Sequence, residues 1–328
     1  MDMRTLGRTG RTVSVIGLGT WQLGADWGDV SETDATAVLA ASVDAGVTFF
    51  DTADAYGDGR SEQIIGSFLK TRSSGPEITV ATKMGRRVEQ VAENYVLANF
   101  REWTDRSRRN LGTETLDLVQ LHCPPSSVVE SDEVYDALDT LVAEGAIANY
   151  GVSVETCDQA LAAIARPNLA TVQIILNAFR LKPLDAVVPA AREAGVGIIA
   201  RVPLASGLLT GKYTRETTFA ATDHRSYNRD GSAFDVGETF SGVNFETGLA
   251  AAAEFAALVP EGLTPAQAAL AWVAQIDGVS SVIPGARSTM QAQANAAAGS
   301  VGPLSLEFNA GVQDIYDRLL REQIHPRW

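Results

Sequence analysis

Short apolar runs recur along the whole chain. "VSVIGLG", "VTFFDT", "ITVATK", "LDLVQLH", "IANYGVS", "TVQIILN", "GIIARVP" and "SVIPGA" are each about one strand long. They read as nearly continuous apolar residues, the pattern of a parallel strand covered on both faces. Helical stretches lie between them. "ETDATAVLAASVDAG" ends on a glycine suited to close a helix. "SEQIIGSFLK" is expected to open with Ser61 as its N-cap. In "TPAQAALAWVAQ", Thr264 caps and Pro265 takes the first helical position. "DEVYDALDTLVAEG", "CDQALAAIA" and "LDAVVPAAREAG" follow the same plan. Eight strands alternating with helices predict an α/β protein, a (β/α)8 TIM barrel forming one domain over residues 1–328.

Two segments interrupt that alternation. Residues 1–13, "MDMRTLGRTGRTV", predict an N-terminal β-hairpin that plugs the bottom of the barrel. Residues 212–247, after the seventh strand, are rich in Gly, Asp, Thr and Asn. They are expected to form a long, structureless loop over a cofactor or substrate, or else a solvated insertion. The rival architecture is a doubly wound dinucleotide-binding sheet. Its one candidate fingerprint, "GLGTWQ" at 17–22, lacks the third glycine and an immediate helix.

A barrel of this kind keeps its chemistry at the C-terminal ends of its strands. Those ends carry Thr20 and Trp21, then Asp51, Lys83, His122, Ser153, Asn177 and Arg201. Asp51, Lys83 and His122 close three successive strands, 32 and 39 residues apart, one βα unit each. Tyr56 follows Asp51 in "FFDTADAYGDGRSE" and can fold back over them. Singly, each has an ordinary structural reading: a cap, a snorkelling lysine, a core histidine, a packed tyrosine. Together they form an acid–base set. A phenol has a pKa near ~10, and an adjacent ammonium, held by a carboxylate, is expected to lower it. Neutral His122 is expected to orient a carbonyl by donating to its oxygen. Such a tyrosine is a general acid for a developing alkoxide, which is the need of carbonyl reduction. None of the four carries electrons, so the set requires a hydride source.

Composition narrows the classes. The chain has 328 residues and a net charge of −14, a poor match to a nucleic-acid backbone. Two cysteines, Cys123 and Cys157, and three scattered histidines give no zinc spacing and no disulfide scaffold, so no metal is expected. The first residues hold no secretory h-region, and no apolar run reaches the ~18 residues of a membrane span. A soluble, cytoplasmic protein is expected.

"FFDTADAYG", "TKMG", "LVQLHCPP", "GVSVE" and "IPGARS", in that order, resemble the aldo-keto reductase family, from "LGRTGRTVSVIGLGTW" to the helix after "IPGARS". The resemblance implies a barrel that binds NADPH/NADP+ without a dinucleotide-binding domain and reduces aldehydes or ketones. It places the catalytic tetrad on Asp51, Tyr56, Lys83 and His122. It places Ser153 and Gln173 on the nicotinamide carboxamide; Val154 stands where the family has Asn, with Asn177 as a possible substitute donor. Arg201 stands where many relatives stack an aromatic ring, and its charge is expected to weaken NADP+ relative to NADPH. Leu204, Ser206, Leu208, Gly211 and Lys212 are expected around the pyrophosphate, with Thr20 and Trp21 also at the cofactor. The backbone of Gly285 and Ala286, with Arg287 and Ser288, is expected to take the 2′-phosphate, with Gln291 and Asn295 at the adenine.

Trp21, Trp27 and Phe179 are expected to wall the substrate pocket, favouring apolar or aromatic carbonyls, while Asp26 disfavours strong anions. Two alternatives stay open. One is an NADPH-bound regulatory subunit with slow turnover, as in barrels of this family attached to membrane complexes. The other is a Schiff-base lyase using Lys83, which the neighbouring Asp51 disfavours by keeping the amine protonated. Asp54 is assigned only a loop role. His325 and Trp328 are expected at the pocket rim or against another subunit, so an oligomer stays open.

Overall fold

The computed structural model describes residues 1–24 and 30–328. Eight parallel strands, β3 to β10, follow one another around a barrel in chain order. They are β3 (Leu18–Gly19), β4 (Phe49–Asp51), β5 (Thr79–Met84), β6 (Leu118–His122), β7 (Tyr150–Ser153), β8 (Thr171–Ile175), β9 (Gly197–Arg201) and β10 (Val279–Val282). All but one of their residues are fully buried, as continuous apolar runs require when both faces are covered. The barrel closes where β3 meets β10, through parallel bridges Ile16 to Val282 and Gly19 to Gly285. Gly19 is required there, because a Cβ would stand 2.8 Å from the Ile283 carbonyl oxygen.

The N-terminal hairpin is present as β1 (Met3–Thr5) paired antiparallel with β2 (Thr12–Ser14). Its Leu6 and Val13 join Phe49, Ala81, Leu118, Ile199 and Ile283 in a separate apolar cluster. This cluster is the plug expected at the bottom of the barrel.

The helix after β4 corrects the expected cap. It runs Arg60–Thr71, and Gly59, at φ 93°, occupies the N-cap. Ser61 is turned inward instead. Its hydroxyl accepts from Thr52 Oγ1 at 2.9 Å and lies 2.8 Å from Thr20 Oγ1, tying the loops after β3 and β4 together. Thr264 and Pro265 behave as expected, with Gln267 completing a capping box.

Residues 212–247 are not structureless. They contain helical turns His224–Tyr227, Val236–Glu238 and Phe240–Gly242. Trp328 lies under this segment: its indole nitrogen donates to Asp235 at 3.0 Å and its ring meets the Arg180 guanidinium at 4.2 Å. Gly242 makes the approach possible, since a Cβ would fall 2.2 Å from the indole. His325 instead meets Asp185 at 3.1 Å, away from the pocket. Among the described residues, no helix is long and apolar enough to cross a membrane.

Candidate active site

Side chains alternate along a strand, so residues two apart share a face. On that face the strands change from apolar to polar towards their C-terminal ends. Asp51 ends β4, Lys83 stands one residue before the end of β5, and Gln120 and His122 share a face of β6. Lys83 Nζ reaches Asp51 Oδ1 at 2.5 Å and the Thr52 carbonyl at 2.9 Å. The second Asp51 oxygen accepts from Gln120 Nε2 at 3.1 Å and Gln173 Nε2 at 2.7 Å. Both ions are almost wholly buried. A buried pair survives only when its remaining donors and acceptors are matched, and these four contacts do that. Gln120 escaped the sequence reading. Its signal was a lone polar residue two before His122 in an apolar strand.

Tyr56 comes from the loop after β4, and its hydroxyl lies 3.4 Å from Lys83 Nζ. Gly57 (φ 59°) makes the turn; a Cβ there would sit 2.3 Å from the Gly24 carbonyl oxygen. The expected acidification of the phenol is not found. Burial raises the Tyr56 pKa, and the opposing pull of Lys83 does not overcome it, because Asp51 and Glu238 add to the rise. Burial likewise disfavours the charge on Lys83, but Asp51 and Tyr56 outweigh it and hold the ammonium protonated. His122 is held neutral, well below its ordinary range, by burial and by the cations Arg86, Lys83 and Arg201. Trp21 stacks on Tyr56, with centroids 6.0 Å apart and planes 20° from parallel.

Arg86, Glu155 and Glu238 were not anticipated. Arg86 donates to Glu238 at 2.9 Å, and its other terminal nitrogen lies 3.4 Å from His122 Nε2. Arg201 donates to Glu155 at 2.8 Å and faces Glu238 at 3.9 Å. Arg201 is thus held by carboxylates while it also lines the cavity. Burial pushes both acids up. At Glu155, burial, helped by the Glu238 charge, outweighs Arg201 and holds the carboxyl above the usual carboxylate range. At Glu238, Arg86 and Arg201 reverse the effect and hold the carboxyl below the usual carboxylate range. Burial also pushes the Cys123 thiol up to about 12, so it is not a reactive thiolate. Cys123, Val202 and Ser206 have positive φ of 50°, 52° and 54° at the cavity wall. Such conformations are costly for residues other than glycine, and they collect at functional sites.

One cavity of about 440 Å³ runs from Tyr56 and His122 past Ser153, Gln173 and Arg201 to Arg287, Gln291 and Asn295. Thr20, Trp21, Leu204, Ser206, Lys212 and Gly285 also line it. Six of the expected residues do not line it. Leu208 and Phe179 are packed in the core, at 1% and 0% exposure. Gly211 closes the turn Ala205–Thr210 against Pro265, and Ala286 is buried between the cavity-lining Gly285 and Arg287, so only its backbone remains for the expected contact. Asn177 lies beyond β8 and bonds Val202 and Ser241, so it is not a substitute amide donor. Ser288 caps the helix Thr289–Ala297, accepting from Gln291 N at 3.3 Å. Trp27 and Asp26 fall outside the described residues.

The far end of this cavity fits a phosphorylated nucleotide. Among the described residues, no carboxylate pairs with Arg287 or Lys212, so both cations are available to phosphate. Gly285 lies against the Gln22 side-chain amide, which a Cβ there would displace.

Residues 15–317 match the Aldo/keto reductase family. Aldo-keto reductase YhdN of Bacillus subtilis is 32% identical over 231 residues, covering 70% of each chain. The glycerol dehydrogenase AKR11B4 of Gluconobacter oxydans superposes with a TM-score of 0.79 at 30% identity, over 100% of this chain and 98% of that one. An aldo-keto reductase of Klebsiella pneumoniae, solved in complex with NADPH, gives 0.69 at 26% identity over 96% of each. Sequence motifs, barrel and match over nearly the whole chain agree: this protein belongs to the aldo/keto reductase family and is an oxidoreductase.

Proposed function

We propose that the protein reduces small aldehydes and ketones to alcohols, with NADPH as the reductant and Tyr56 as the proton donor. The observation that carries this reading is the buried Lys83–Asp51 pair set 3.4 Å from the Tyr56 hydroxyl, at one end of the long cavity. The Klebsiella relative's complex with NADPH supports the choice of cofactor. When bound, NADPH supplies the hydride. Arg287 and Lys212 would take its phosphates, Gln291 and Asn295 would lie at its adenine, and Ser153 and Gln173 would meet its carboxamide. Trp21 shields the phenol from water on one side.

Tyr56 stays protonated until the carbonyl oxygen gains negative charge, because burial holds its pKa up. Its proton then passes to that oxygen. Lys83, a firm cation, stabilises the phenolate left behind. Asp51, fixed by Gln120 and Gln173, holds Lys83 in place. The test is NADPH consumption with a reactive aromatic aldehyde. Tyr56→Phe is expected to retain cofactor binding and lose ~10²-fold or more in kcat. Equal rates in both proteins would refute the assignment. Cofactor binding without turnover across a panel of carbonyls would point to the regulatory reading instead.

A further inference from the structure

Behind the paired carboxylates Glu155 and Glu238 lies an indole that takes no part in the cavity wall. Trp328 is 5% exposed, and its ring is pressed against backbone. A Cβ on Gly237 or Gly242 would stand 3.0 Å or 2.2 Å from it. Its Nε1 donates to Asp235 Oδ1 at 3.0 Å, and the same oxygen accepts from Gly237 N at 2.7 Å. Asp235 thereby caps the short turn Val236–Glu238, and the indole fixes the cap.

The same ring lies 4.2 Å from the Arg180 guanidinium carbon. Arg180 is 1% exposed, and its Nη1 is buried without a hydrogen-bond partner among the described residues. A desolvated cation of this kind gains from an aromatic face. Its other terminal nitrogen donates to the Glu155 carbonyl at 2.7 Å. Trp328 therefore reaches both acids at one remove, Glu238 through Asp235 and Glu155 through Arg180.

Those acids hold the arginines of the site. Glu238 takes Arg86 at 2.9 Å, and Arg201 lies 2.8 Å from Glu155 and 3.9 Å from Glu238. Both arginines line the cavity with Tyr56 and His122. Ser206 also grips the turn, its hydroxyl donating to the Glu238 carbonyl at 3.2 Å and accepting from Phe240 N at 3.0 Å. Ser206 lines the cavity and Trp328 does not, so the turn is held both at the wall and behind it. A shift of the turn would strip two guanidinium groups of their carboxylates, a costly state for buried charge.

We infer that Trp328 is a positioning residue of the active site: it braces the 235–242 turn and the Glu155 backbone, and so sets the carboxylates that hold Arg86 and Arg201 at the cavity wall. Its effect on rate rests on the proposed carbonyl reduction; its effect on the turn does not.

The test compares Trp328→Ala, Trp328→Phe and Ile324→Ala in the whole chain, at a temperature where circular dichroism shows each variant folded. Ile324 is a packing control, 1% exposed on the neighbouring helix Arg321–Ile324 and without a polar side-chain atom. Chymotryptic cleavage after Phe240, which is 2% exposed, reads opening of the turn. Trp328→Ala is expected to speed that cleavage ~10-fold or more. Its kcat/KM for NADPH-dependent reduction of a reactive aromatic aldehyde should fall by ~10–10²-fold, the usual effect of a displaced wall. Trp328→Phe keeps a ring beside Arg180 and loses the bond to Asp235, so about fivefold is expected in each measurement. It carries the comparison if Trp328→Ala does not fold. Ile324→Ala should leave kcat/KM unchanged. Trp328→Ala cleavage within about twofold of wild type, or faster cleavage with kcat/KM unchanged, overturns the inference. An Ile324→Ala effect as large as that of Trp328→Ala in both measurements also overturns it, because the loss would then be one of general stability. If wild type oxidises no NADPH with any carbonyl, the reductase reading fails, and the cleavage comparison alone still decides whether Trp328 braces the turn.

Discussion

At the floor of the barrel Phe49, Ala81, Leu118 and Ile199 face one another. Two residues further along the same strands stand Asp51, Lys83, Gln120 and Arg201. The backbone is alike at both levels, and the requirement is not. The floor needs only filled volume, which the hairpin residues Leu6 and Val13 complete. At the mouth, each buried polar atom must find a counterpart. Asp51 has Lys83 on one oxygen and two glutamine amides on the other, and Arg201 has Glu155 and Glu238. An error at the floor leaves a void. An error at the mouth leaves an unmatched charge.

The severest way to break the mouth is Lys83→Met, which leaves Asp51 buried beside two neutral amides. Stability measured by urea denaturation should fall by about 3–5 kcal/mol, and NADPH turnover should nearly vanish. Phe49→Ala breaks the floor alone. A loss of about 3–4 kcal/mol is expected there, with kcat/KM held within a few-fold. If Phe49→Ala reduced turnover as much as Lys83→Met does, the two levels would not be separable.

Asp54 sharpens the contrast, because it is a buried acid at the mouth that lacks what Asp51 has. One of its oxygens is without a partner. Burial, with help from Glu62, pushes its pKa up to about 7 against the opposing pull of Arg87 and Arg106. The unfolded chain releases this proton near pH 4, so folding loses stability as pH rises from there to 7. Asp54→Asn should therefore be more stable than wild type by about 2 kcal/mol at pH 8, with the gain gone at pH 4. A gain independent of pH would show that the carboxyl is not what costs stability.

Much of this was legible in the sequence because strand alternation is strict. Phe49 to Asp51 reads as floor to mouth, and His122 reads as a strand end. What failed depended on direction or burial. Phe179 and Leu208 lie close to strand ends in the chain but turn into the core, since irregular backbone sets no face. Ser61 was read as a cap because the left-handed turn at Gly59 has no marker beyond the glycine itself. The phenol of Tyr56 was expected to be acidified by its lysine; how far burial outweighs that cation is fixed by packing, not by residue types. Glu238 gave no signal. It meets Arg86 across 152 residues of chain, from a segment whose composition reads only as loop.

The seam between β3 and β10 has a temporal consequence. It joins residues 16–19 to residues 282–285, so the cylinder stays an open sheet until nearly all of the intervening chain is in place. Pairings so far apart in sequence form late, and until then the first and last strands present bare edges. Gly285 and Arg287 sit on that seam or directly after it. The nucleotide end of the cavity is thus among the last parts of the fold to exist, whereas Asp51 and Lys83, on adjacent strands, can meet early.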